Sequence, residues 1–600
     1  MVARAKAACE AIHGFDQART DALCAAMAKA AASAALDLAR LAVEETGIGK
    51  VHYKVLKNLF GAEGTWNSIK DEKTVGIVSR DEKSGVVEIA TASGVVAGIV
   101  PTTNPTSTTI FKALIAIKGR NSIVISPHPR ARRCIGETVE VLRRAIERAG
   151  GPPDLVVCLS NPTIESTGAL MKHRDVAIIL ATGGTGLVNA AYSSGRPAYG
   201  VGPGNVPCYI DRSADIPWAA QSIVTSQSFD NATLCCSEQG LVIDKPIAKQ
   251  LLDELVKRGA HLCDEQETAQ LAKLCNVRGH MNADVVGLDP VRIAEMAGFH
   301  VPRDTSLLLA WQGGVGRDFP LSIEILAPVL SLHLVDGWTE GCQVSIQMLR
   351  SDGLGHTLGI HARDQRVLEA FFVEKPANRI IVNGPCSQGA VGYSTLLVPS
   401  FSLGCGPQAG NITSDNISAR HLVNIKRAAF PRRDWAQIEA RDHQRVVELT
   451  REGAPRGSGI SGDPALTLRT SPASSSAFTP APSSNWQGNP ALSEKSGGSH
   501  AASSATPRPK APPMSFGANA PALASYTVPA RAATPPVVPV APAAPPGSGG
   551  GSARKSGPYV GAAFDAREIR ELMTHAGAGC PLGSCKGCPH HEVTTGSCSA

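Results

Sequence analysis

The chain has 600 residues, 43% hydrophobic and 18% charged, with a formal net charge of +6. That composition excludes a fibrous chain and a wholly disordered one, and no stretch of about 18 apolar residues is free of charge, so no transmembrane helix is expected. Residues 453–560 hold 19 of the 42 prolines and eight Lys/Arg against two Asp/Glu, a net +6; the rest is neutral, so the basicity belongs to a linker and argues poorly for a nucleic-acid surface.

The N-terminus, MVARAKAACEAIHGFDQ, lacks the apolar run of a signal peptide, which predicts a cytoplasmic protein. Twelve of the 16 cysteines are scattered before residue 450 without framework spacing, as in a reducing compartment. Residues 1–50 are Ala-rich, with Leu36, Leu38, Leu41 and Ala42 near helical spacing, and are predicted helical. From about 85 to 210, apolar runs alternate with amphipathic segments. GVVAGIV (94–100), SIVIS (122–126), LVVCL (155–159) and VAIILA (176–181) are predicted strands. IGETVEVLRRAIERAG (135–150) is a helix closed by glycine. This alternation predicts an α/β protein with a parallel sheet covered by helices. The pattern repeats after 211, with SIVTS (222–226), a loop, GLVID (240–244) and the helix IAKQLLDELVKRG (247–259), so two α/β domains are expected in residues 1–430.

Three segments of this region carry chemistry. In GIVPTTNPTSTT (98–109) a strand runs into a proline-punctuated turn that holds Asn104, whose amide can donate to a developing oxyanion; an ordinary Asn-Pro turn reads the same way. In IILATGGTGLVNAA (178–191) a strand enters Thr182-Gly183-Gly184-Thr185-Gly186 and then a helix, a place for a phosphate, though not a G-x-G-x-x-G fingerprint. A second glycine turn, Gly200 to Asn205, follows. In SFDNATLCCSEQG (228–240) the adjacent Cys235 and Cys236 sit in a polar loop before an apolar run. That suits a thiolate nucleophile with backbone donors nearby, and equally two buried thiols.

Residues 434–454 predict a helix polar on most faces. The Pro/Ala/Ser/Gly tract 455–560 cannot bury enough apolar surface to order itself, and as a coil of about 108 residues it spans roughly 60 Å. Order resumes near 560: Asp565 as N-cap, Glu568 closing a capping box and Phe564 against Ile569 mark a short amphipathic helix ended by Gly577. Cys580, Cys585, Cys588 and His590 follow with C-x₄-C-x₂-C spacing, a candidate ligand set for zinc or an Fe–S cluster that equally suits a flexible tail.

Several of these stretches, taken together and in order, resemble the acylating, CoA-dependent aldehyde dehydrogenases. They are similar to the aldehyde-dehydrogenase half of bifunctional aldehyde–alcohol dehydrogenases and to the enzymes of ethanolamine- and propanediol-utilising microcompartments. The matching segments are AVEETGIGK (42–50), residues 98–131, ILATGGTGLVNAAYSSG (179–195), GVGPGNVP (200–207), SFDNATLCCSEQ (228–239), GLGHT (353–357) and SLGCGPQAGN (402–411). The resemblance covers about residues 5–430. It implies an aldehyde dehydrogenase fold, with an NAD-binding domain over 1–212, a catalytic domain over 213–400 and a return to the NAD and oligomerisation region at 401–430. The helix 434–454, the linker 455–560 and the helix with its Cys-rich end, 561–600, lie beyond it.

Residue by residue, the resemblance implies Cys235 as nucleophile, with Cys236 a departure from the small non-thiol residue usual there. Asn104 and the Cys235 amide become the oxyanion donors. Thr182, Gly183, Gly184, Thr185 and Gly186 form the pyrophosphate turn, Gly202 lies in the second glycine turn, and Ser126, His128 and Arg130 meet the adenosine part of NAD. Glu324 holds the nicotinamide ribose, and His356 matches a histidine of the acylating branch. YGVGPGNVP (199–207) carries no carboxylate where hydrolytic relatives keep one to activate water. A thioester on Cys235 would then await coenzyme A.

The implied reaction is reversible oxidation of a short-chain aldehyde such as acetaldehyde or propanal to acyl-CoA, with NAD preferred and NADP open. A homo-oligomer, dimer or tetramer, is implied, with no nucleic-acid or membrane partner. The tethered C-terminal helix resembles an encapsulation peptide, which would place the enzyme as cargo in a bacterial microcompartment, docked to shell protein. Two other readings stand beside this one: an acylating enzyme for a substituted aldehyde such as sulfoacetaldehyde, and a non-catalytic scaffold.

Overall fold

The computed structural model describes residues 1–452. Met1–Ile438 lies in one compact unit. Residues 439–452 fall in a second and form most of the helix Trp435–Glu452, whose side chains are largely exposed. The expected tail helix and its Cys580, Cys585, Cys588 and His590 lie outside the described residues.

The expected α/β architecture is present, as two parallel sheets and two small antiparallel ones among the described residues. The five-stranded sheet runs, in spatial order, Val156–Cys158, Ser122–Pro127, Val95–Val100, Val176–Thr182, Ala198–Val201, all parallel. Val95–Val100 lies at its centre and is buried throughout, as its unbroken apolar run predicts. The chain moves outward on one side through 122–127 and 156–158, then crosses to the other side at 176–182. That reversal leaves a crevice at the carboxyl ends of Val95–Val100 and Val176–Thr182, where such sheets bind ligands.

Helix Pro105–Lys118 follows the central strand and is buried along its whole length, packed against Gln17–Ser33 and Arg132–Arg148. A helix apolar on every side belongs in a core. Truncating fully buried Ile115 to Ala would cost roughly 2–5 kcal/mol. Its lysines must find partners inside. Lys118 meets Asp21 at 2.6 Å. Lys112 donates to the carbonyls of Ile99 (2.6 Å) and Leu180 (2.9 Å) and to Thr182 Oγ1 (3.0 Å), tying together the two strand ends that border the crevice. Burial lowers its pKa to about 7.

The seven-stranded sheet runs Ala260–Leu262, Leu307–Trp311, Val329–Val335, Glu238–Asp244, Val206–Ile210, Gly355–His361, Ala377–Val382, again all parallel. Val206–Ile210 already belongs to it, so the change of sheet falls between Val201 and Val206 rather than at 212. A Gly202-Pro203-Gly204 turn carries the chain across. SIVTS is not a strand: it lies inside the helix Ile216–Ser228. Asp215 caps that helix by accepting from Trp218 N at 3.3 Å, with proline in the first turn. The local start signal outweighs the β-branched run, and Ile223 and Val224 join the core that holds Leu251 and Leu252. Val423–Ala429 returns to pair antiparallel with Val86–Ala92, which also pairs with Gly76–Asp81. Among the described residues no single helix is long and apolar enough to cross a membrane.

Candidate active site

The crevice opens into a cavity of about 1250 Å³ lined by Asn104, Cys235 and Glu324 at one end and by Thr182, Gly183, Gly184, Gly186 and Ser126–Arg130 elsewhere; Thr185, the first residue of the helix there, is not in the lining. The structure thus brings together most of the residues singled out from the sequence.

The cysteine loop begins where helix Ile216–Ser228 ends. Asp230, Asn231 and Ala232 follow with φ of 52°, 54° and 57°, three successive left-handed residues without a glycine. Each such residue costs on the order of 1 kcal/mol and persists only where its surroundings impose it. Here Asp230 imposes it. Its Oδ1 accepts from Lys50 N (2.7 Å), and its Oδ2 accepts from Lys57 Nζ (2.5 Å), Lys54 Nζ (3.1 Å) and Thr233 Oγ1 (3.0 Å). Gly49 must be glycine: its φ is +74°, and a Cβ there would sit 2.0 Å from Asp230 Oδ1. Asn231 Nδ2 adds a bond to the Gly287 carbonyl at 3.0 Å.

Coming out of this turn, the two thiols diverge. Both cysteines border the cavity, but only Cys235 keeps exposed surface there, being half-buried. Cys236 has no exposed surface, and its Sγ donates to the Ser387 carbonyl at 3.4 Å. Burial pushes both thiols up, Cys235 well above the usual range and Cys236 to about 12. The buried Arg379 guanidinium pulls both the other way.

Asn104 stands at the N-cap of Pro105–Lys118 but makes no side-chain cap. Its amide is used across the site instead. Nδ2 donates to the Thr233 carbonyl (3.0 Å) and Thr103 Oγ1 (3.2 Å), while Oδ1 accepts from Lys57 Nζ (2.6 Å). The asparagine is therefore bonded directly to the loop that carries Cys235.

Glu324 Oε1 accepts from Gly204 N at 2.7 Å, and burial raises its pKa to about 8. Gly204 is wedged in place: a Cβ there would lie 2.1 Å from the Cys235 carbonyl oxygen and 3.1 Å from His356 Nδ1. His356 is fully buried behind this turn. Its Nδ1 meets Thr357 Oγ1 at 3.0 Å, and its Nε2 has no partner among the described residues. Burial, then Arg379, lower its pKa to about 3, so the ring is neutral. Arg379 donates to the His356 carbonyl at 2.8 Å.

At the other end, Gly184 caps the helix Thr185–Tyr192 without a side-chain bond, and nothing lies within 4 Å of a Cβ built at Gly184, Gly186 or Gly202. This uncapped, side-chain-free cradle fits a pyrophosphate. Ser126 Oγ pairs with Thr167 Oγ1 at 2.8 Å, and His128 Nδ1 accepts from Arg130 N at 3.1 Å, both on the cavity rim. Burial lowers the His128 pKa. A dinucleotide such as NAD fits this end by its chemistry: backbone donors for phosphates and small polar side chains for a ribose. Gly200 faces Tyr192, whose hydroxyl donates to the Gly200 carbonyl at 3.0 Å and would be 2.7 Å from a Cβ. The segment that lacks a carboxylate therefore has no room to gain one at Gly200.

Sequence reasoning missed Lys54, Lys57, Asp230 and Arg379. One signal was present, since lysines three apart in a helix share a face. Among the described residues His261, Cys263 and Glu267 alone group at metal-ligand spacing. The Glu267 carboxylate there already accepts from Asp264 N and meets His261 Nε2 at 2.8 Å.

The aldehyde dehydrogenase family model matches residues 1–272. A solved acetylating aldehyde dehydrogenase from Geobacillus thermoglucosidasius is 50% identical, covers 72% of this chain and 96% of its own, and superposes with a TM-score of 0.71. The bifunctional aldehyde-alcohol dehydrogenase of Escherichia coli (strain K12) is 40% identical over 434 residues, 72% of this chain and 49% of that protein, so the chain spans about half the length of that curated relative. A propionaldehyde dehydrogenase from the Clostridium phytofermentans fucose utilisation bacterial microcompartment is 26% identical over 72% of this chain and 96% of its own, with a TM-score of 0.65. The chain belongs to the aldehyde dehydrogenase family, and acetylating members are among its homologues.

Proposed function

We propose that the chain oxidises a short-chain aldehyde to acyl-CoA, reversibly, through a thioester on Cys235. The observation that carries this reading is the Cys235–Asn104 pairing: the half-buried thiol and an amide bonded to its own loop face one cavity, while Cys236 is turned into the core. Cys235 releases its proton to water in the open cavity and the thiolate sulfur adds to the aldehyde carbon. The carbonyl oxygen becomes an oxyanion that Asn104 Nδ2 and the Cys235 amide stabilise. Bound NAD, preferred over NADP, supplies the hydride acceptor as the adduct collapses to the thioester. Thr182–Gly186 hold the phosphates, Gly202 leaves the second turn open, Ser126, His128 and Arg130 border the adenosine, and Glu324 fixes the nicotinamide ribose. With no carboxylate on 199–207, the thioester outlasts water and is released by the CoA thiol.

His356 supports the turn beneath Cys235. The protein acts as a homo-oligomer, and the segment 564–576, whose sequence carries helix start signals, docks it to a microcompartment shell; the microcompartment relative and the amphipathic pattern of that sequence support this. Trapping tests the chemistry. Acetaldehyde and NAD⁺ without CoA should leave an acetyl group on Cys235, read by peptide mass spectrometry. An acyl group on Cys236, or none, contradicts the assignment.

A further inference from the structure

We propose that Lys57 is the positioning residue of the oxyanion site: its ammonium fixes the orientation of the Asn104 amide and polarises its N–H toward the reacting oxygen. This rests on the reading of Asn104 just given.

An asparagine amide can turn end for end unless a partner distinguishes its oxygen from its nitrogen. Lys57 has only donors, so the end it meets at 2.6 Å must be Oδ1, which turns Nδ2 toward the Thr233 carbonyl at 3.0 Å and Thr103 Oγ1 at 3.2 Å, the longer bond being the one a reacting oxygen would replace. The ammonium itself has no freedom. Its three protons are matched by Asn104 Oδ1, Asp230 Oδ2 at 2.5 Å and Thr233 Oγ1 at 2.8 Å. Its side chain is 2% exposed.

Lys57 comes from helix Val51–Leu59, which belongs to neither segment it joins: the turn after strand Val95–Val100 and the loop two residues ahead of Cys235. A cation on an amide oxygen draws electron density from the nitrogen and strengthens its N–H as a donor. A donor held in place before the reaction needs no reorganisation during it.

The three hydrogen bonds of the Lys57 ammonium go to Asn104, Asp230 and Thr233 and none goes to Cys235, so the lysine acts through Asn104 rather than by bonding the nucleophile. Removing Lys57 leaves Asp230 with Lys54, Lys50 N and the Thr233 hydroxyl, so the left-handed turn keeps a clamp.

The test uses the full chain with Lys57→Met, Asn104→Ala and both together. Two rates are read: kcat for aldehyde-dependent NADH formation, and alkylation of Cys235 by iodoacetamide. Alkylation displaces iodide at a saturated carbon and forms no oxyanion, so it reports the thiol alone. Lys57→Met should lower kcat about 100-fold while leaving the KM for NAD⁺ and the alkylation rate unchanged. The double variant should be no more than about twofold slower than Asn104→Ala. Unchanged kcat, losses that multiply in the double variant, or an equal loss in alkylation would each overturn the proposal. If Asn104→Ala alone leaves kcat unchanged, the oxyanion reading falls and this inference with it. Should Lys57→Met not fold, Lys57→Gln keeps a donor without the charge; kcat equal to that of the parent enzyme would overturn the polarising role.

Discussion

The Cys236 thiol donates to the Ser387 carbonyl across 3.4 Å, in a part of the core where it has no exposed surface. Cys235, one residue earlier, lines the cavity. The adjacent thiols therefore differ in exposure, Cys235 half-buried and Cys236 with no exposed surface, as the chain leaves the left-handed turn at Asp230–Ala232.

That division predicts a clean labelling result. Peptide mapping after iodoacetamide should find Cys235 modified and Cys236 unmodified until the protein unfolds; Cys9 and Cys158 are the other partly exposed thiols among the described residues. Cys235→Ala should abolish turnover. Cys236→Ala should retain it and lose about 1–2 kcal/mol of stability from the buried sulfur. Because burial holds the Cys235 thiol well above its ordinary pKa, the labelling rate should still be rising at pH 9.

Gly204 should accept no side chain. A Cβ there would lie 2.1 Å from the Cys235 carbonyl oxygen, so Gly204→Ala must displace the cysteine loop or the strand that follows the turn. A shift of about 1 Å at a reacting centre costs roughly 100-fold in rate. Gly186→Ala, where the added carbon meets open space, should instead raise the KM for NAD⁺ with a smaller change in kcat. Steady-state kinetics of the two variants separate these outcomes.

Glu324 predicts a pH-dependent contribution to stability. Burial lifts its pKa from 4.5 to about 8, so between those values the folded chain holds a proton that the unfolded chain has lost. Its contribution is favourable below about 4.5 and falls as pH rises through 8. Glu324→Gln, which cannot ionise, should be spared this loss. Relative to the parent enzyme, its denaturation midpoint should improve between pH 5 and pH 8, by more than about 1 kcal/mol. A constant difference would contradict the burial of the charged form.

His356 makes the opposite prediction. Its ring is neutral across the working range, with a pKa of about 3, so it should contribute no limb to the pH–rate profile between pH 5 and 9. His356→Asn should lower the rate at every pH without changing the shape of the curve.

The buried strands were legible because an unbroken run such as 94–100 has one stable place, the middle of a parallel sheet. SIVTS misled because β-branched residues also pack well on a helix once Asp215 and a proline have started one. Cys235 and Asn104 were legible through resemblance, and their direct link through Thr233 spans 129 positions. Lys57 and Asp230, 173 positions apart, were not legible. A lysine in a helix reads as solvent-facing until the fold shows it 2% exposed beside a carboxylate. Which of two adjacent thiols faces the cavity depends on backbone angles that no residue type announced, since Asp, Asn and Ala seldom adopt them in sequence.

The central claim is that the acyl group leaves Cys235 for a thiol and not for water. The direct measurement is NAD⁺ reduction by the purified enzyme with acetaldehyde or propanal, with and without CoA. Without CoA, a burst of NADH near one equivalent per active site is expected, then sustained turnover when CoA is added. Sustained turnover without CoA would contradict it, because water would then be resolving the thioester despite the missing carboxylate on 199–207.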